Sequence, residues 1–66
     1  MANLIEGIQR ECNRARSLVA AYEEIGPIGQ FGLLVIRAAI KEGEESIASG
    51  EITRMVVAFK RLEGCQ

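Results

Sequence analysis

The chain predicts an all-α fold, a small antiparallel three-helix bundle of two long helices and one short one, assembled as a dimer. Three observations lead there. Apolar residues recur at steps of three and four along nearly the whole sequence. Two glycine-containing joints, Gly26-Pro27 and Ser49-Gly50, cut it into three segments. The segments are unequal: residues 4–25 and 28–49 are long, and the last runs only from Glu51 to Glu63. At about 1.5 Å of rise per residue, the first two reach roughly 33 Å and the last about 20 Å. The third helix cannot cover both long ones along their length.

Helix 1 opens at Leu4. Asn3 followed by Glu6 resembles a capping box, with Asn in the place of Ser or Thr. Ile5, Ile8, Cys12, Ala15, Val19 and Tyr22 then form one stripe, widened by Leu4, Leu18 and Ile25. The opposite face carries Glu6, Gln9, Arg10, Asn13, Ser17 and Glu24. Gly26 ends the helix and Pro27 opens the next, in keeping with the preferences of those residues for helix stops and starts.

Helix 2 is apolar around most of its circumference from Ile28 to Ile40, with only Gln30, Arg37 and Lys41 as a polar wedge. Such a segment is expected to be buried on several sides. Its second half narrows to Ile36, Ile40, Gly43 and Ile47, with Glu42, Glu44 and Glu45 outward. Gly50 ends it. Helix 3 is read with Ile52, Met55, Val56, Phe59 and Leu62 inward and Arg54, Lys60 and Arg61 outward, closing at Gly64. Short joints make sequential helices antiparallel neighbours.

Residues 1–66 form a single domain near the lower size limit for folding without disulfides, metal or a partner. Hydrophobic residues are 48% of the chain and charged ones 26%, a globular balance. With so few aromatics, the core must come from Ile, Leu, Val and Ala, which makes it thin and favours association. The net charge of −1 sets up no field toward nucleic acid or anionic membrane. The longest unbroken apolar run, Leu33 to Ile36, is far too short to cross a bilayer, and no signal peptide precedes helix 1. Cytoplasmic location follows as the expectation, and the small size suggests a bacterial or phage origin.

Cys12 falls on the apolar stripe and reads as a small hydrophobe. Cys65 lies in the tail, where air could link it to another chain. Two cysteines and no histidine do not make a structural zinc site, and no cofactor is expected. Gly26, Gly29 and Gly32 form a spaced glycine run at a helix start, where amides can bind anions. The run has no Gly-Lys-Ser/Thr ending and no preceding strand. Close helix approach is the better account of it. Glu11 sits within the apolar side of helix 1 and could be a desolvated carboxylate, but no second carboxylate, histidine or nucleophile joins it. It reads as a boundary residue paired with Arg14. With no His, no Asp and one Tyr, the usual groups for acid–base or covalent catalysis are lacking. The chain is not expected to be an enzyme.

The end of the hairpin beyond helix 3 is where function is expected. Tyr22, Ile25, Ile28, Phe31, Leu34, Val35 and Ala38 are the expected protein interface, with Phe31 as anchor. The alternative is that Gly26–Gly32 folds back as a loop over the top. The function that follows is a small helical protein–protein interaction module. It is expected to be a homodimer acting as adaptor, regulator or inhibitor, with a different protein as a further partner. A second reading is a dimeric nucleic-acid-binding regulator using Arg10, Arg14 and Arg16; interleaved acidic residues count against it. Membrane-surface binding through helix 2 is disfavoured, since Arg37 and Lys41 are its only basic residues.

Overall fold

The computed structural model describes residues 3–65. The order of elements is α1 (Leu4–Ile25), a single 3-10 turn (Pro27–Gly29), α2 (Gln30–Ser49) and α3 (Ile52–Glu63). All three helices pack against one another, forming a rod of 38 × 19 × 16 Å.

Asn3 caps α1 as its sequence predicts, its side-chain oxygen accepting the Glu6 amide at 2.7 Å. Gly26 ends the helix at φ 85°, ψ −147°, a region open to glycine and strained for other residues. Pro27 then begins a 3-10 turn and α2 starts only at Gln30, two residues later than the stripe predicts. The difference is one of winding. Gly29 donates its amide to the Gly26 carbonyl at 2.9 Å, tightening the entry before α-helical bonds take over. At the other joint, Gly50 adopts the left-handed conformation at φ 71° and donates to the Ser46 and Ile47 carbonyls. The Ser49 hydroxyl bridges the corner, donating to the Ser46 carbonyl at 2.7 Å and accepting the Glu51 amide at 3.1 Å.

The core runs through Ile8, Cys12 and Ala15 of α1, Ile36 and Ala39 of α2, and Met55 and Leu62 of α3, with Cys65 closing it. Leu4, Leu18, Val19, Tyr22, Ile40, Ile47 and Phe59 pack around it. At Gly43, where residues of all three helices meet, there is room for hydrogen only. A Cβ on Gly43 would lie 3.0 Å from a Leu62 methyl, 3.1 Å from the Cys12 sulfur and 3.3 Å from an Ile8 methyl. The buried Ser46 hydroxyl satisfies itself on the Gly43 carbonyl at 2.7 Å.

Three expectations change. The inward face of α3 is Met55, Ala58 and Leu62, with Phe59 half-buried, while Ile52 and Val56 are exposed. Ala58 is fully buried, so a small residue that shows no hydrophobic bulk takes the inward position while the two larger ones face outward. Cys65 is buried, its thiol against the Arg61 carbonyl at 3.6 Å, and is not free to oxidise in a loose tail. Finally, the first half of α2 is sheltered on one side only. Leu33 and Ile36 are buried, but Phe31, Leu34 and Val35 stand in solvent.

Candidate protein interface

The hairpin top is built on Tyr22. Its backbone carbonyl lies so near Gly29 that a Cβ there would be 2.7 Å from the oxygen. Its ring lies over Gly32, where a Cβ would meet it at 2.3 Å. Glycine at both positions lets the start of α2 close down on the last turn of α1. Both residues are therefore packing positions, as expected for two of the three glycines of the run. Arg37 pairs with Glu23 at 3.3 Å, tying the two long helices on the far side.

Helix α3, at 12 residues against 22 and 20 for the others, ends well below this joint. Its last turn is gripped by Arg14. The guanidinium donates to the Leu62 carbonyl at 2.8 Å and the Cys65 carbonyl at 3.0 Å, and pairs with Glu11 at 3.0 Å. The Leu62 carbonyl, which also accepts the Cys65 amide at 3.1 Å, and the Cys65 carbonyl are thus both held at the helix end. Glu11 is the orienting partner of that arginine, which explains a carboxylate within the apolar side of α1.

Above the α3 terminus opens a groove of about 370 Å³. Tyr22, Phe31, Gly32, Val35 and Ile36 line it, and Lys60, Arg61, Gly64 and Cys65 form its floor. Beside it the apolar surface continues. Ile28 is 85% exposed, Phe31 79%, Leu34 67%, Ile25 55% and Val35 48%. Ala38 is exposed as well, and Tyr22 is half-buried. Six of the seven residues expected from sequence are thus exposed. Among the described residues no segment folds back over them; the 3-10 turn leads straight into α2.

The exposed parts of the five large side chains amount to roughly 600 Å², the upper end of what a typical monomer leaves in one patch. A second cleft, about 470 Å³, lies between α1 and α2 and is lined by Gln9, Cys12, Asn13, Arg16, Glu44 and Ile47. It is the larger space, but Arg16 bridges it to Glu44 at 3.1 Å, and its walls are half polar. Burial pushes the Cys12 thiol above its ordinary range there; Glu44 and Glu11 add to the rise and Arg16 opposes it.

Two of the three helix 1 arginines already hold partners within the chain. Arg14 is spent on the α3 terminus, and Arg16 holds Asn13 and Glu44. Arg10 is exposed. On α3, Ile52 and Val56 are exposed where the sequence pattern turns them inward, and Val57 is exposed beside them; the signal for this in the sequence is Ala58, a small residue on a short helix with larger neighbours. Among the described residues no helix is long and apolar enough to cross a membrane, and no cluster of His, Cys, Asp or Glu could hold a metal ion. No protein-family model, curated protein or solved structure matches this chain, so its own surface is what carries a reading of function.

Proposed function

We propose that this chain is a small helical protein–protein interaction module that works as a homodimer, with the first half of α2 and the end of α1 as its contact face. As such it would act as an adaptor, regulator or inhibitor of another protein. The observation that carries the reading is the exposure of five large apolar side chains, Ile25, Ile28, Phe31, Leu34 and Val35, between the end of α1 and the first half of α2. Full burial of one such side chain is worth about 1.5–3 kcal/mol, so leaving five in water is a large standing cost for so small a core. Two copies meeting there would cover about 1,200 Å² in total, the lower bound for a specific, stable interface.

The nucleic-acid reading has less support, because Arg14 and Arg16 already hold partners within the chain. Light scattering coupled to gel filtration at micromolar concentration is the direct test. It should give twice the 7.2 kDa chain mass. Phe31→Glu should give a folded single chain, since Phe31 contributes little to the fold of one copy. A wild-type particle of one chain mass, or a Phe31→Glu dimer, would overturn the assignment. A mobility shift with duplex DNA that weakens steeply with salt would favour the other reading instead.

A further inference from the structure

On the outward side of α2, Phe31 and Ala38 lie seven residues apart, within about 20° of the same line along the helix. Leu34 and Val35 sit between them, one to each side. The row is therefore graded in size: a large residue, two medium ones abreast, then a small one. It stops at Glu42, which pairs with Arg61. Resting on the reading that a second copy covers this face, we propose that the two α2 helices pair antiparallel. The two-fold axis passes between Leu34 and Val35, and Phe31 of each copy seats on Ala38 of the other.

The grading selects this direction. Run parallel, Phe31 would oppose Phe31 and Ala38 would oppose Ala38, holding the helices apart at one level and leaving a void at the next. Run antiparallel, each large residue meets a small one, and an isologous contact is completed by a single patch. Charge agrees. Parallel pairing stacks Glu42 on Glu42, Glu45 on Glu45 and Lys41 on Lys41. Antiparallel pairing brings Glu42 level with the Pro27 turn of the second copy, near the positive N-terminus of its α2. There α2 carries no acidic residue in its first turn and no side-chain cap. The α2 side of the groove above α3 then lies level with the middle of the partner's α2, so that α1 and α2 of both copies form four helices side by side at the centre.

Single cysteines test the register. Each is placed in the otherwise native chain, whose own Cys12 and Cys65 are buried, and oxidised under mild conditions. Leu34→Cys should link to its own copy, because the two positions face each other near the axis within disulfide reach. Ile28→Cys should not, since its copies lie about 20 Å apart along the helices. If Ile28→Cys links as fast as Leu34→Cys, the pairing is parallel and this inference falls while the dimer stands. If neither links and light scattering still gives a dimer, another face is used. A wild-type monomer removes the underlying reading itself. A second comparison needs no cysteine. Ala38→Phe alone should weaken association by about tenfold, and adding Phe31→Ala should restore most of it. Failure of the swapped pair to recover overturns the proposed seat even where Ala38→Phe has disturbed the surface.

Discussion

The Arg14 guanidinium donates to the Leu62 carbonyl at 2.8 Å, fastening the last turn of the short helix to the middle of the long one. The same side chain reaches the Cys65 carbonyl and is steadied by Glu11. One residue thus holds the end of α3 that floors the groove beneath Phe31.

Removing that clasp should loosen α3 from its end. Hydrogen bonds from a charged group contribute about 1.5–3 kcal/mol. The side chain is 40% exposed, so about 1–2 kcal/mol is expected for Arg14→Ala after solvent screening. Arg14→Lys should recover only part, because one ammonium lacks the fork that serves two carbonyls and a carboxylate together. Urea unfolding gives the magnitude, and hydrogen exchange should show the Gly64 and Cys65 amides losing protection first. Unchanged exchange there would mean that the last turn holds itself.

Two buried glycines should answer alanine in opposite ways. At Gly43 a Cβ meets three side chains at 3.0–3.3 Å, all of them buried core residues with nowhere to go. Overpacking costs about 1–3 kcal/mol, against a gain in helix propensity of about 1 kcal/mol, so Gly43→Ala should lose about 1 kcal/mol net. At Gly7 the one near neighbour is the half-buried Phe59 ring at 3.1 Å, which can swing aside. Gly7→Ala should gain about 0.5 kcal/mol. Midpoints of urea unfolding in the reverse order would contradict this account of the core.

Gly29→Ala should open the joint between α1 and α2. The obstacle is the Tyr22 carbonyl, 2.7 Å from the new Cβ, and backbone inside a helix cannot turn away as a side chain can. A loss of about 1–3 kcal/mol is expected. Tyr22 is the single tyrosine of a chain without tryptophan, so near-ultraviolet circular dichroism reports directly on this corner. An unaltered tyrosine signal would show that the joint tolerates a methyl group.

Alkaline pH should weaken the fold through Cys12. A thiol is charged only after losing its proton, and burial raises the folded-state pKa of Cys12 above its ordinary value of 9.0. The folded chain therefore keeps a proton that the unfolded chain gives up. Stability from this site is fully present below the unfolded pKa and is lost as pH rises through the folded one. Between pH 8 and 10 the wild type should lose more unfolding free energy than Cys12→Ala, with a difference in slope of at most about 1.4 kcal/mol per pH unit. Parallel slopes would show that the thiol titrates alike in both states.

Much of this structure is legible in the residues. Asn3, Gly26 and Gly50 mark the helix ends because capping and left-handed glycine are local chemistry. The stripe of α1 is legible because its core residues are large and regularly spaced, and the exposed face of α2 because Phe31, Leu34 and Val35 lie where the other helices cannot be. What stays hidden depends on small residues. Ala58 and Gly43 show no hydrophobic bulk, yet they define where the helices meet, and reading only bulk turns Ile52 and Val56 inward. Arg14 is hidden for a different reason: its carbonyl partners lie about fifty residues away and become neighbours only after folding.

The ion pairs that lace the helices together, Arg16 to Glu44, Arg37 to Glu23 and Arg61 to Glu42, sit largely in solvent. Added electrolyte screens contacts of that kind. A strongly hydrated salt such as ammonium sulfate also drives greasy surfaces out of water. The same titration should therefore slacken these outer lashings while driving copies of the chain together, so a melting temperature that rises further at higher chain concentration would reveal cohesion between molecules rather than within one.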